Sequence, residues 1–230
     1  AGKSVTGTSN VAVGYLSIGT GSTTGNNNVA VGRQTLQDLT SGTDNSALGH
    51  QAGANMITGS NNVAISRNAL LGGTACSDVV AIGAYSIDAV TTSTDVNGTV
   101  AIGRDSLGAL TSGSGNTAIG YQSLSAETVA SQSTAIGYEA LGNQVGGSGN
   151  VGNIGIGYQA GFAITSGTNN TVIGTSMDQG TCTGTHNTVV GRLVARTLTD
   201  GTRNTAVGWN SMATVTTGDN NVCIGDQSDV

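Results

Sequence analysis

The chain has 230 residues, with 38 glycines, no proline, 3% aromatic and 9% charged side chains, and a net charge of −6. Disordered chains are usually rich in charge and proline, and collagen needs glycine at every third position, so this composition favours an ordered repeat of another kind. Nucleic-acid binding would need clustered cations, whereas Lys3 and six scattered arginines are all that the chain has, so we expect no nucleic-acid partner.

A five-residue word with the consensus Asn-x-Ala-x-Gly recurs in thirteen copies, some of which depart from it at one position, and most copies lie 17 residues apart. So regular a period predicts a repeat architecture, and the unit is too short to carry an amphipathic helix. In chain order the copies of this repeat word are Asn10–Gly14, Asn28–Gly32, Asn45–Gly49, Asn62–Ser66, Val79–Gly83, Thr99–Gly103, Asn116–Gly120, Ser133–Gly137, Asn153–Gly157, Asn170–Gly174, Asn187–Gly191, Asn204–Gly208 and Asn221–Gly225. The sequence predicts an all-β protein, a parallel β-solenoid (β-roll) of about thirteen 17-residue coils in a single repeat domain over residues 1–230.

Each repeat word predicts a short strand whose alternate side chains point to opposite faces, as in Thr117-Ala118-Ile119. We expect the branched side chains to fill the core of the coil and the small alanines to let another chain approach. One coil buries too few apolar groups to offset its backbone entropy, so pairing with identical chains as a homotrimer is expected. The predicted inter-chain face consists of Ala12, Ala30, Ala47, Ala64, Ala81, Ala101, Ala118, Ala135 and Ala206.

Further positions of the repeat carry their own predictions. Leu107 and Leu110 mark two more core columns, and Gly113 lies in a turn that needs positive φ. The asparagine that opens ten of the thirteen words is expected to form an amide ladder. Two longer repeats predict loops over residues 91–98 and 142–152. Cys76, Cys182 and Cys223 occupy different places in different repeats, which predicts free, mostly buried thiols rather than disulfides.

The residue after the last position of each repeat word is unusual, because ten of thirteen are Tyr, Arg, His or Trp in a chain with few aromatics. We call this column the ridge. Stacked cation–π and planar contacts along it are expected, either as a structural ladder, which the sequence favours, or as a surface that binds the sugar rings of a glycan. Its candidate site residues are Tyr15, Arg33, His50, Arg67, Arg104, Tyr121, Tyr138, Tyr158, Arg192 and Trp209.

Catalytic, cofactor and metal sites are not predicted. His50 and His186 lie eight coils apart, and no metal-binding spacing occurs. Glu127 and Glu139 are close enough in sequence to form a glycosidase-like carboxylate pair, but solvated surface carboxylates are the expected state. An ice-binding solenoid would want an uninterrupted threonine array, and the column before the alanine mixes threonine with valine.

The words Asn-Thr-Ala-Ile-Gly, followed by Tyr-Gln-Ser-Leu or Tyr-Glu-Ala-Leu and by Thr-Ser-Gly-Ser-Gly-Asn, resemble the head repeats of trimeric autotransporter adhesins (the YadA-like β-roll) and, more closely, the repeats of phage tail fibres. The resemblance covers essentially the whole chain. It implies a left-handed, trimeric β-roll with the alanine face toward the trimer axis, although adhesin coils typically have a shorter period.

The function expected from this resemblance is a non-catalytic structural and receptor-binding segment of a virion tail fibre, extracellular and part of a longer chain. Its partners would be its own copies and a host-surface glycan or protein receptor. The alternative is a bacterial surface adhesin head that binds matrix or glycan. An ice-binding solenoid and a fibre-borne depolymerase are less favoured. No apolar run is long enough to span a membrane, so membrane insertion is not expected.

Overall fold

A computed structural model describes residues 1–2, 4–90, 96–175 and 182–229. Within these ranges the chain is an all-β parallel β-solenoid of about twelve turns and contains no helix. No helix of the described chain is therefore long and apolar enough to cross a membrane. The predicted fold class is confirmed at this level.

The chain forms two compact units, Ala1–Asn116 and Thr117–Val230, called unit 1 and unit 2 below. Unit 1 contains β1 (Val11–Val13), β2 (Val29–Val31), β3 (Ser46–Leu48), β4 (Val63–Ile65), β5 (Val80–Ile82) and β6 (Val100–Ile102). Unit 2 contains β7 (Thr117–Ile119), β8 (Ala130–Ser131), β9 (Thr134–Ile136), β10 (Gly149–Asn150), β11 (Ile154–Ile156), β12 (Thr171–Thr175), β13 (Thr188–Arg192), β14 (Thr205–Trp209) and β15 (Val222–Ile224).

Equivalent residues of successive repeats lie in vertical register. In unit 1, β1 to β6 pair in parallel in chain order, with Ala12 opposite Ala30 and Ala81 opposite Ala101. In unit 2, Ala118 of β7 lies opposite Ala135 of β9, and the order continues from β11 to β15. One repeat therefore makes one turn of the coil, as the period predicts.

The core of each coil is built from the alanine column and from two leucine-type columns. The first of these contains Leu36, Leu70, Leu107 and Leu124, and the second contains Leu39, Met56, Leu110 and Ile164, all of them buried. Both columns were predicted. Leu107 and Leu124 bend the chain inward with φ of 50° and 51°. A left-handed leucine costs about 1–2 kcal/mol, and burying its side chain offsets this with about 1.5–3 kcal/mol.

The predicted orientation of the strands is wrong. Ala30, Ala81, Ala118 and Ala135 are fully buried inside their own coils, and only Ala12 of the first coil is half-buried. The branched residues on either side point outward instead. The same column also holds Val172, Val189 and Cys223, all of them buried, so the inside of the strand accepts small side chains up to the size of valine. Ala12, Ala30, Ala47, Ala64, Ala81, Ala101, Ala118, Ala135 and Ala206 therefore do not form an inter-chain face.

A buried amide ladder runs inside each unit, as predicted. In unit 1, Asn45 Nδ2 donates to Asn28 Oδ1 at 2.9 Å and to the Gly59 carbonyl at 2.9 Å. In unit 2, Asn187 Nδ2 donates to Asn170 Oδ1 at 3.1 Å and to the carbonyl of Gly201 at 2.9 Å. The ladder contains Asn10, Asn28, Asn45 and Asn62 in unit 1, and Asn153, Asn170, Asn187, Asn204 and Asn221 in unit 2.

The glycine that ends the repeat word is required by its backbone. Gly120 has φ of 135°, and a Cβ on it would collide with the backbone carbonyl of Gly137 in the next coil. A side chain here would therefore meet both an unfavourable dihedral angle and a neighbouring strand.

The segment over residues 142–152 is more than the surface loop that was predicted. β8 and β10 pair in parallel, and Gln144 and Glu127 are completely buried. The other predicted loop, over residues 91–98, falls partly outside the described residues. The three cysteines are buried thiols, as predicted, and burial raises the pKa of the Cys182 and Cys223 thiols.

Candidate functional surface

The outward face of the strands carries an unusual amount of exposed apolar surface. It consists of the second and fourth residues of each repeat word, so β3 contributes Ser46 and Leu48, and β9 contributes Thr134 and Ile136. Of the sixteen large apolar side chains that are exposed, nine lie on this outward face and five lie on the ridge. Ile57 and Val145 are the two exceptions. Contiguous exposed apolar patches mark interaction sites in soluble proteins.

The fourth residue of the repeat word is aliphatic in every coil. In unit 1 this aliphatic column reads Val13, Val31, Leu48, Ile65, Ile82 and Ile102. In unit 2 it reads Ile119, Ile136, Ile156, Ile173, Val190, Val207 and Ile224. Leu48 is 50% exposed and Ile224 is 68% exposed in the single chain. Val13, Leu48, Ile136, Ile173 and Ile224 are exposed and the other members are half-buried, so folding of one chain leaves the column only partly covered.

The ridge lies on the same side of the strands as the aliphatic column. In β12, β13 and β14 the strand extends through the ridge residue, and side chains alternate between buried and more exposed along it. Arg192 pairs in register with Trp209, and their predicted stacking contact stays a prediction. The ridge side chains are exposed except that of His50, which is half-buried. They are Tyr15, Arg33, His50, Arg67, Arg104, Tyr121, Tyr138, Tyr158, Arg192 and Trp209.

Three consecutive tyrosines of unit 2 stack on one another. The ring centroids of Tyr121 and Tyr138 are 5.1 Å apart, and those of Tyr138 and Tyr158 are 5.4 Å apart, with planes inclined by 15° and 10°. Loss of solvation and a hydrogen bond with Glu139 raise the pKa of Tyr138. Because both faces of Tyr138 are covered by its neighbours, its ring edge and hydroxyl are what it presents to a ligand.

The ridge of unit 1 is cationic. Arg33, His50 and Arg67 follow one another on consecutive coils, since Gln51 N donates to the Arg33 carbonyl at 2.9 Å and Asn68 N donates to the His50 carbonyl at 3.0 Å. The guanidinium of Arg67 lies 4.8 Å from the ring centroid of Tyr85. Tyr85 stands one position beyond the ridge, so the repeat pattern did not predict it as a candidate site residue.

Comparisons of the chain with protein-family models, with curated proteins and with solved structures gave no match. The function of the chain is therefore inferred from the aliphatic column and the ridge.

The carboxylate pair considered in the sequence does not form a catalytic site. Glu127 is completely buried, so the expectation that it is solvated is wrong. Its Oε1 accepts the backbone N–H groups of residues 128, 129 and 130 at 2.8–3.0 Å, and its Oε2 accepts Gln144 Nε2 at 2.9 Å and Gly146 N at 3.0 Å. Five donors hold this carboxylate away from any substrate. It anchors the turn over 127–130 to the segment over 142–152.

The remaining polar candidates lie apart. Glu139 is half-buried and accepts Gln159 Nε2 at 2.7 Å. His186 is exposed beside the Thr185 hydroxyl, 3.2 Å from its Nδ1. Among the residues that the structure describes, no three His, Cys, Asp or Glu side chains come together as a metal site would require.

Proposed function

We propose that the chain is a structural and receptor-binding segment of a homotrimeric, left-handed fibre such as a phage tail fibre, without catalytic activity. The observation that carries this proposal is the uninterrupted aliphatic column, which one chain leaves only partly covered. Its extracellular place on a virion follows from the resemblance of the repeat words to tail-fibre repeats. The ridge beside the column would contact the host receptor.

Identical copies are the partners that fit the aliphatic column best. A partner must cover branched side chains at a uniform strand spacing of about 4.8 Å over many coils. A second and third copy, lying parallel to the first, present the same spacing and the same residue types in the same order. Each large aliphatic side chain that is covered contributes about 1.5–3 kcal/mol, so a column of this length supplies the stability that a thin coil lacks.

A bacterial surface adhesin head is the second candidate, and the exposed ridge favours it equally. The modules that flank the segment distinguish the two. A baseplate-binding or chaperone module in the same chain supports the fibre, and a membrane-anchoring barrel supports the adhesin.

Ice binding is less well supported by the outward face. Threonine fills most of the second word position in unit 2, as in Thr171, Thr188 and Thr205, but Ile154 and Val222 interrupt it. In unit 1 the same position carries valine, with Ser46 as the exception. A continuous hydroxyl array is therefore restricted to three adjacent strands.

The native mass of the purified chain tests the proposal. We expect three times the chain mass of 22.5 kDa by multi-angle light scattering. The double variant Leu48→Asp/Ile136→Asp places one charge on the aliphatic column of each unit, so we expect it to shift the mass toward one chain. Ile57→Asp/Val145→Asp is the matched control, because these side chains are 40% and 50% exposed but lie off the outward face. A monomeric wild-type chain, or equal dissociation of both variants, contradicts the proposal.

A further inference from the structure

The cations of unit 1 are concentrated on the ridge. The chain has six arginines, and all three of those in unit 1, Arg33, Arg67 and Arg104, fall in this one column. His50 stands between the first two. We call Arg33, His50 and Arg67 the basic stripe. Its members are scattered in sequence and become neighbours only because each repeat closes one coil.

The basic stripe does not stabilise the fold by pairing with acids. Arg33 and Arg67 are exposed, and neither forms an ion pair with any described residue. Arg104 differs, since its Nε lies 3.2 Å from Asp105 Oδ2. Tyr85 supports Arg67 from below and holds its guanidinium in place.

Two polar atoms beside the basic stripe are also without partners. His50 Nε2 and Asn68 Oδ1 are buried, yet neither has a hydrogen bond with a described residue. A buried polar group without a partner costs about 1–3 kcal/mol. Both atoms belong to the two adjacent coils that carry His50 and Arg67. The unpartnered polar atoms therefore lie on the same coils as part of the positive charge.

We propose that the basic stripe binds an acidic polysaccharide that runs along the stack of coils, with its carboxylate or sulfate groups on Arg33 and Arg67. This inference rests on the proposed receptor-binding role and names the ligand class. Guanidinium groups bind such oxyanions through paired, charge-assisted hydrogen bonds. His50 lies on the coil between the two arginines.

The spacing of the basic stripe favours a polysaccharide over a nucleic acid. Arg33 and Arg67 are separated by two strand spacings of about 4.8 Å each. A sugar unit in an extended glycan advances by a similar distance, so acidic groups on alternate sugars would meet alternate coils. DNA carries about one negative charge per 1.7 Å of duplex and requires a broader array of cations. The chain as a whole has a net charge of −6 and repels polyanions, which confines binding to the stripe.

Retention on immobilised alginate, a polyuronate, tests the proposal, with neutral dextran as the reference matrix. We expect salt-sensitive retention on alginate and none on dextran. Arg33→Gln and Arg67→Gln should each weaken binding by about tenfold through loss of a charge-assisted pair. Arg203→Gln is the matched control, because Arg203 is an exposed arginine off the ridge, and its binding should change less than twofold.

Three results would overturn the proposal: no retention on alginate, equal losses in all three variants, or tighter binding of a duplex DNA oligonucleotide than of alginate. Light scattering on the same samples separates this inference from the proposed fibre. A monomer that still binds alginate through Arg33 and Arg67 refutes the trimer and supports the basic stripe. A trimer that does not bind alginate supports the proposed fibre and refutes the basic stripe as a polysaccharide site.

Discussion

Units 1 and 2 are built from the same type of coil but present different outward surfaces. In unit 1 the second word position is mostly valine, and the ridge is cationic. In unit 2 that position is mostly threonine, and the ridge begins with three stacked tyrosines. The interior scarcely changes, because alanine and leucine columns are buried in both. Since each coil contacts only its neighbours, an outward column can change its chemistry along the stack while the core stays constant.

The units also differ in how they tolerate a gap in the amide ladder. In unit 1 the ladder stops at Asn62, whose Oδ1 accepts only the backbone N–H of the buried Val79, at 3.0 Å. In unit 2, Ser133 stands where an asparagine is expected, and Gln144 fills the gap by donating to Ser133 Oγ at 3.0 Å and accepting from Asn153 Nδ2 at 2.9 Å. In unit 1 the apolar side chain of Val79 stands in the place of the next ladder asparagine. In unit 2 the buried side chains of Ser133 and Gln144 connect to the ladder by hydrogen bonds.

The largest effect is expected from breaking the buried polar cluster of Glu127, Ser133 and Gln144 in unit 2. Glu127→Ala leaves five N–H donors without their acceptor, three in buried and two in part-buried hydrogen bonds, so we expect a loss of about 4 kcal/mol or more in the free energy of unfolding. Glu127→Gln should lose less, because it keeps one acceptor oxygen. Chemical denaturation followed by far-ultraviolet circular dichroism measures both.

Glu139→Ala provides the control for this prediction. Glu139 is half-buried, accepts a hydrogen bond from Gln159 Nε2 and shares another with Tyr138. Its replacement should cost well under 1 kcal/mol. If Glu127→Ala costs no more than Glu139→Ala, the cluster is not what stabilises this part of unit 2.

The amide ladder itself should be equally important in the two units. Asn45→Ala and Asn187→Ala each remove two donated bonds and the acceptor of the next asparagine, so we expect each to cost about 3 kcal/mol. Asn61→Ala is a matched control, since Asn61 is exposed and donates one bond to Asp78 at 3.1 Å. Denaturation midpoints at fixed chain concentration compare them. A large cost in one unit alone would show that the two ladders are not equivalent.

The sequence predicts the period, the register and two of the three core columns, because those follow from spacing alone. It fails on the direction of the strand. Alternation in Thr117-Ala118-Ile119 divides the residues between two faces but does not say which face is inside, and the usual preference for burying isoleucine points the wrong way. The structure decides, since it buries Ala118 completely and leaves Ile119 half-buried.

The candidate surface was predicted in part for the same reason. The ridge follows from its position after the glycine. Tyr85 and Glu127 depend instead on neighbours in other coils. Glu127 is recognisable only when Gln144 and Gly146 are seen to converge on it. The longer repeat at this point was the available signal, since extra residues within a regular coil must be held by contacts that the repeat does not provide.

A smaller effect is expected where the glycine column is interrupted. Ser66 takes the place of the glycine that ends the repeat word and has φ of 106°, whereas unit 2 keeps glycine in all seven words. A strained non-glycine residue costs about 1–3 kcal/mol, part of which the greater freedom of unfolded glycine offsets. We expect Ser66→Gly to stabilise unit 1 by about 1 kcal/mol. Ser46→Gly, the same change within β3, should destabilise it, and thermal melting of both variants checks the sign.

The smallest effect concerns two aspartates with opposite pKa shifts. Burial raises the pKa of Asp88 in unit 1, so its charged form opposes folding at neutral pH. Hydrogen bonds from the Thr202 backbone N–H and hydroxyl lower the pKa of Asp219 in unit 2, so its charge adds stability that is lost as acid protonates it. Asp88→Asn should therefore raise the melting temperature at about pH 7 and Asp219→Asn should lower it, each by a few degrees at most. Both differences should shrink toward about pH 2, where wild-type carboxyls are protonated too. Shifts of the same sign at neutral pH would mean that the contrast between the two units does not extend to their carboxylates.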